Sequence, residues 1–314
     1  MHTPILTICV PTHNRGDFLE AWLEENLEVI NDNRIIVIIH DNGSSDNTPA
    51  VVNKYQNIVQ NIRYIQSDVA TVFDNSVLRC IEGVETDYFW PIGDTYLIPK
   101  KVMRHLLQIL SEKPPHNAII FNINNRYRGN ERIFKNYDEL LTNVAGVNAC
   151  LATTVYRRTY KRLNLKRFVG HGYIHSAILF EGCFGRQISV PMISDLSIEL
   201  IRRRGLKKRN WAYSNKSLEI ITKDWKNHLL SLSGYDPQVH QRAITAIGEI
   251  TGLFSLRGVL LMRATGALNP SSLKLLASNV PFRYAVILYL YVIISLILPQ
   301  KIFSLMLNIR EKFS

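Results

Sequence analysis

The feature that most constrains this chain is an alternation in its first 125 residues, where short β-branched apolar runs take turns with stretches of helical periodicity. Each apolar run stops abruptly in polar turn residues, which is the sequence form of βαβ units and of a mainly parallel sheet flanked by helices. Residues 5–10 read as a strand, PTHNR as the loop after it, and residues 16–30 as one amphipathic helix carrying Phe18, Leu19, Trp22, Leu23, Leu27 and Ile30. The run RIIVIIH at 34–40 is almost continuously apolar, as a strand covered on both faces must be, and it ends in DNGSSDNT. Pro49 then suits the first turn of a helix reaching Tyr55.

Strands follow at 62–66, 87–92 and 118–123, with helices at 73–84 and 100–110 between them. Segments 149–156, 174–181 and 187–193 stay open between short strand and helix. Beyond about residue 215 the texture turns to long helical stretches, so the chain divides into an α/β domain at 1–215 and a helical region at 216–314.

Charge follows the same division. Residues 1–199 hold 20 Lys and Arg against 21 Asp and Glu, whereas residues 200–314 hold 17 against 5, so the whole excess of the +11 chain is C-terminal. Such a block suits nucleic acid, anionic lipid or a phosphorylated substrate, and charge alone does not choose among them. No helix-turn-helix, RRM or zinc pattern accompanies it, so no nucleic-acid partner is expected. Its company is apolar instead. Residues 284–298 carry no charge, but their 15 residues fall short of the ~20 that span a bilayer, and Pro299 interrupts them. Residues 301–313 mix Ile302, Phe303, Leu305, Met306, Leu307 and Ile309 with Lys301, Arg310 and Lys312, as an interfacial helix on an anionic membrane does. The alternative is a helical hairpin packed on the core or across a homo-oligomer. Four scattered cysteines without a CxxC pair and the lack of a signal-peptide pattern lead to an expected cytoplasmic protein, peripheral on the inner face of the cell membrane.

Ligands of open parallel sheets bind outside the carboxyl ends of the strands, so PTHNR and DNGSSDNT point to one crevice. Asp41 is suited to accept hydrogen bonds from a base or ribose, and Arg15 with nearby backbone N–H groups is suited to phosphate. Neither GxGxxG nor GxxxxGKS occurs, which leaves a dinucleotide or P-loop enzyme unsupported.

The order TICVPTHNR, IIVIIHDNGSSDNT, DYFWPIGDTYLIP resembles the N-terminal half of family 2 glycosyltransferases of the GT-A fold, over roughly residues 4–110 with a weaker echo to 215. The resemblance implies a nucleotide-sugar co-substrate held by Pro11, Thr12, Asn14, Arg15 and Asp41. It also implies a DXD motif binding Mg²⁺ or Mn²⁺ at the position of Asp94. Here the sequence departs from the family: Ile92, or Gly93 and Thr95 in the other register, stand where the partner carboxylates belong, so only Asp94 remains. Inverting transfer needs a base for the acceptor hydroxyl. The family's ED pair is absent, and VGHGYIHSAILFE resembles the corresponding segment of O-antigen and capsule glycosyltransferases. His175 is the expected catalytic base, with His171 and Glu181 in reserve. LIRRRGLKKRNW resembles the basic segment after this site, implying Arg203 or Arg204 over the diphosphate and Trp211 stacked on a sugar.

The expectation is therefore an inverting enzyme that passes one sugar to a lipid-linked glycan in bacterial surface polysaccharide synthesis. A second reading keeps the fold and drops the chemistry, as a degenerate nucleotide- or glycan-binding scaffold subunit.

Overall fold

The computed structural model of the chain describes residues 3–203, 205–206, 214–252, 254–269, 272, 275, 292–293 and 297. They fall into two units, the first comprising 1–140 and 147–203, the second 141–146 and 204–314.

The first unit is built on a mixed sheet. In chain order its elements are β1 (Leu6–Thr12), α1 (Gly16–Glu25), α2 (Leu27–Ile30), β2 (Ile35–Asp41), α3 (Thr48–Gln56), β3 (Ile62–Gln66), α4 (Phe73–Glu82), β4 (Tyr88–Pro91), β5 (Tyr96–Leu97), α5 (Lys100–Ile109), β6 (Ala118–Ile123) and β7 (Arg132–Phe134). After α6 (Tyr137–Asn148) come β8 (Thr154–Arg157), α7 (Ile174–Cys183) and β9 (Val190–Leu200). The strand order is β3-β2-β1-β4-β8-β6-β9-β5, with β7 also on β9. β3, β2, β1 and β4 are mutually parallel, β8 runs antiparallel between β4 and β6, and β9 is parallel to β6. The loops after β1, β2, β3, β4, β6 and β9 therefore leave the same edge of the sheet. Every residue of β1 and β2 is buried, as their unbroken apolar runs require of strands covered on both faces. Trp90 of β4 stacks on Phe121 of β6 at 5.9 Å and donates Nε1–H to the Ala152 carbonyl at 2.8 Å, so the ring is buried with its polar atom satisfied.

The three open segments resolve as a short 3₁₀ turn at Leu151–Thr153 leading into β8, as α7, and as β9. One expected helix is broken. Residues 16–30 form two helices because Asn26 turns its amide away from the helix: Nδ2 donates to the carbonyls of Trp22 (2.9 Å) and Tyr96 (3.2 Å), and Oδ1 accepts from Ile98 N–H at 2.8 Å. The tail of α1 is thereby bonded to the segment just past Asp94.

The second unit contains α8 (Ser217–Glu219), a π-helical stretch at Ile220–Asp224, α9 (Trp225–Ser231), α10 (Pro237–Thr251) and α11 (Leu256–Ala264). Trp225 is buried and its indole N–H reaches the Ala243 carbonyl of α10. Ser255 caps α11 by accepting from Gly258 N–H at 3.2 Å. Among the described residues no helix is long and apolar enough to cross a membrane. The apolar stretches 284–298 and 301–313 lie outside them, apart from 292, 293 and 297.

Candidate functional site

The loops at the carboxyl edge of β1, β2 and β4 are laced together by side chains. Asn14 follows β1 in the left-handed region, at φ 50°, which asparagine tolerates better than most residues. That geometry sends its amide to the β2 loop: Asn14 N–H donates to Ser44 Oγ at 2.8 Å and its Oδ1 accepts from Ser45 N–H at 2.7 Å. Gly16 N–H donates to Asp46 Oδ2 at 2.9 Å, and a Cβ on Gly16 would lie 2.1 Å from Asn47 Oδ1, so the close approach of the two loops needs glycine there. Asp41, fully buried, closes the β2 loop by accepting from Ser44 N–H at 2.8 Å, and its other oxygen accepts from the Tyr64 hydroxyl at 2.6 Å.

Asp94 joins the same cluster. Arg15 Nε donates to both of its carboxylate oxygens, at 3.0 and 2.8 Å, and Thr12 Oγ1 donates to Oδ2 at 3.1 Å. The carboxylate is 5% exposed; burial pushes it up, against the opposing pull of Arg15 and Thr12. Thr12, Asn14, Arg15, Asp41 and Asp94 thus form one bonded constellation, with Pro11 buried in β1 behind them.

Asp94 is the one carboxylate that this motif offers a divalent cation. Mg²⁺ is usually held by one or two carboxylates together with substrate phosphates and water. The single carboxylate of this motif already forms a neutral pair with a guanidinium, and Asp41 and Asp46 are engaged with backbone and hydroxyl donors. No group of three or more His, Cys, Asp or Glu is placed to hold a metal among the described residues.

A third loop is tied in by residues that sequence reasoning passed over. Asn42 bridges to the loop after β3 through Thr71, donating to its carbonyl at 2.8 Å and accepting from its N–H at 3.0 Å. That loop leads into α4, whose first turn carries the buried Asp74. The Asp74 carboxylate accepts from the backbone N–H groups of Gly170 (2.8 Å), Gly172 (2.9 Å) and Ile174 (3.2 Å). The segment GHGYI is therefore fastened to the same edge as Asp94, and its glycines at φ 96° and 76° take conformations closed to most residues. A carboxylate in the first turn of an expected helix looks like a helix-dipole partner, so nothing in the sequence reveals this long-range anchor.

Of the remaining expected residues, none that the structure describes hydrogen-bonds to Asp94. His175 is 3% exposed on α7; its Nε2 meets the Ala149 carbonyl at 3.1 Å, Nδ1 has no hydrogen-bond partner, and burial holds the imidazole down at about 4. His171 is half-buried in the Asp74-anchored segment. Glu181 pairs with Arg167 at 2.8 Å. Arg203 pairs with Glu24 at the tail of α1, about 13 Å of helix from Arg15 at its head, so it does not join the Asp94 cluster. Arg204 and Trp211 lie outside the described residues.

Known proteins bear on this arrangement. The profile of Glycosyl transferase family 2 matches residues 7–181, more than half of the chain. No curated protein gives a significant match. Among solved structures, residues 1–349 of S. aureus TarS in complex with UDP-GlcNAc superpose with a TM-score of 0.56 at 14% identity, covering 90% of this chain and 83% of that one. The same TarS fragment with UDP gives a TM-score of 0.54 at 12% identity, over 84% and 85% of the two chains. The mannosyltransferase PcManGT from Pyrobaculum calidifontis, in complex with GDP-Man and Mn²⁺, gives a TM-score of 0.55 at 14% identity, over 98% and 84%.

Proposed function

The chain belongs to glycosyl transferase family 2, and from that premise we propose that it transfers one sugar, with inversion, from a nucleoside diphosphate sugar to a lipid-linked glycan. It is a glycosyltransferase of the GT-A fold. The observation that carries the donor reading is the bonded convergence of the β1, β2 and β4 loops, in which Asn14 joins Ser44 and Ser45 while Arg15 and Thr12 join Asp94. Asp41 faces the nucleoside, and the Arg15 guanidinium faces the diphosphate.

In the reaction a hydroxyl oxygen of the acceptor attacks the anomeric carbon, and the bond from that carbon to the diphosphate oxygen breaks with its electron pair on the leaving group. The acceptor proton passes to a base. We assign that part to His171, a half-buried imidazole on the segment that Asp74 fixes at the sheet edge. His175, enclosed behind it, supports α7. The basic, apolar C-terminal stretch makes the foot on an anionic membrane, where an acceptor with a lipid anchor resides, and surface polysaccharide synthesis is the setting that fits both.

Binding of UDP, GDP, CDP and dTDP to the purified chain, followed by thermal shift and calorimetry, tests the donor reading. One of the four is expected to bind and to be held more tightly as its sugar conjugate; a chain that binds none would remove the assignment.

A further inference from the structure

We propose that His13 is a positioning residue of the donor site: as a neutral imidazole with its proton on Nδ1 it sets the amide of Asn14 against the β2 loop, so that donor affinity is lost as His13 takes up a second proton. The inference deepens the nucleotide-sugar reading of this cluster and rests on it.

The hydrogen bonds leave one protonation state. His13 Nδ1 lies 2.9 Å from the Asn42 carbonyl oxygen, and a carbonyl accepts, so Nδ1 carries a proton. On the other side of the ring, Nε2 lies 3.2 Å from Nδ2 of Asn14. The orientation of that amide is fixed independently, because Ser45 N–H, which can only donate, meets Asn14 Oδ1 at 2.7 Å. Nδ2 therefore turns its hydrogens to the ring, and Nε2 accepts with a bare lone pair. Neutral imidazole satisfies all three contacts at once.

A second ring proton sets donor against donor at Nε2. If the Asn14 amide turns over to offer its oxygen, Nδ2 then faces Ser45 N–H and that bond is lost; if the ring swings out, its contacts with Asn42 and Asn14 go together. Either way the link between the β1 and β2 loops weakens at its centre, because Asn42 is also the residue that holds Thr71 of the β3 loop. The carbonyl itself stays in place: Asn42 N–H donates to Thr12 O at 2.9 Å, one step beyond the β1–β2 ladder. The ring is exposed, so solvent delivers the proton without unfolding. Of the charged groups on the surrounding elements, Arg15 pairs with Asp94, Asp41 accepts from Ser44 and Tyr64, Asp46 accepts from Gly16 and Thr48, and Asp17 and Asp68 are exposed. Among the described residues none of them forms an ion pair with His13 that would offset the second proton.

The test is the Kd of the full chain for whichever of UDP, GDP, CDP and dTDP binds best, measured from about pH 8 to about pH 5.5 in wild type, His13→Gln and His13→Ala. The glutamine amide carries a donor and an acceptor and does not titrate. The wild-type Kd is expected to rise by about fivefold or more over this range relative to that of His13→Gln, a comparison in which titration of the nucleotide's own phosphate cancels. At the alkaline end His13→Gln is expected to bind within about threefold of wild type and His13→Ala about fivefold more weakly. Parallel pH profiles in wild type and His13→Gln would overturn the inference and leave the donor reading standing; a chain that binds none of the four at any pH would remove both. If a variant does not fold, ¹⁵N NMR of the histidine-labelled wild type decides: His13 is expected as the Nδ1–H tautomer at the alkaline end, and the Nε2–H tautomer would overturn the inference.

Discussion

Tyr64 of β3 donates its hydroxyl to Oδ2 of Asp41 at the end of β2, at 2.6 Å. Asp41 thereby has one oxygen turned to its own loop, through Ser44 N–H, and the other to the neighbouring strand. Asp41→Ala leaves both donors unmatched, which costs about 1–3 kcal/mol each when buried. It should lower nucleotide affinity by about tenfold or more and the urea midpoint measurably. Tyr64→Phe should lower affinity less and stability by about 1 kcal/mol. Unchanged nucleotide affinity in Asp41→Ala would displace the nucleoside pocket from this loop.

Asp74 carries a different role. With three backbone N–H groups on its carboxylate, Asp74→Ala should loosen segment 170–174 while the β1, β2 and β4 loops keep their bonds. The expected signature is a fall in kcat with nucleotide Kd held nearly constant. His171→Ala should share that signature, with a loss of about 100-fold or more. A His171→Ala enzyme of full activity would return the search for the base to His175 and Glu181.

His175 gives a pH test. Its imidazole is held at about 4 in the fold, against an ordinary value of 6.5. The unfolded chain therefore binds the extra proton first as pH falls, so the contribution of the neutral, buried ring is complete above pH 6.5 and is lost between 6.5 and about 4. Roughly 3 kcal/mol is at stake. Urea unfolding from pH 7.5 downward should show stability falling through this window, with a shallower fall in His175→Gln. Equal slopes in the two proteins would contradict the buried neutral state.

Gly43 sits at φ 73°, where a Cβ would also come within 2.8 Å of Ala70 N. Gly43→Ala should cost about 1–3 kcal/mol through left-handed strain and that collision. It should weaken nucleotide binding as well, since the β2 and β3 loops are pushed apart. A variant as stable as wild type, by urea titration, would mean that these loops yield freely.

The sequence made the alternation of β1 through α5 and the meeting of Asn14, Asp41 and Asp94 legible, because apolar periodicity and strand-ending turns are local signals and parallel strands bring their carboxyl ends together. What escaped it is long-range. Asn26 looks helical until Tyr96 and Ile98 are there to receive its amide. β5 and β7, of 2 and 3 residues, have no periodicity to read and exist through pairing with β9. Asp74 and Gly172 are 98 positions apart. His175 and Arg203 were drawn toward the chemistry by residue type, while their surroundings, the Ala149 carbonyl and Glu24, are fixed only by the tertiary arrangement.

Helix α1 is fastened at both ends to one short stretch of chain, by Arg15 to Asp94 at its head and by Asn26 to Tyr96 and Ile98 at its tail. A rod pinned twice to the same beam cannot slide or tilt without breaking a pin. Asn26, at the far end of α1 from Arg15, is thus a gauge block for the reach of the arginine: swapping it for leucine would let the helix run on past residue 26 and drag its head along the axis, away from Asp94.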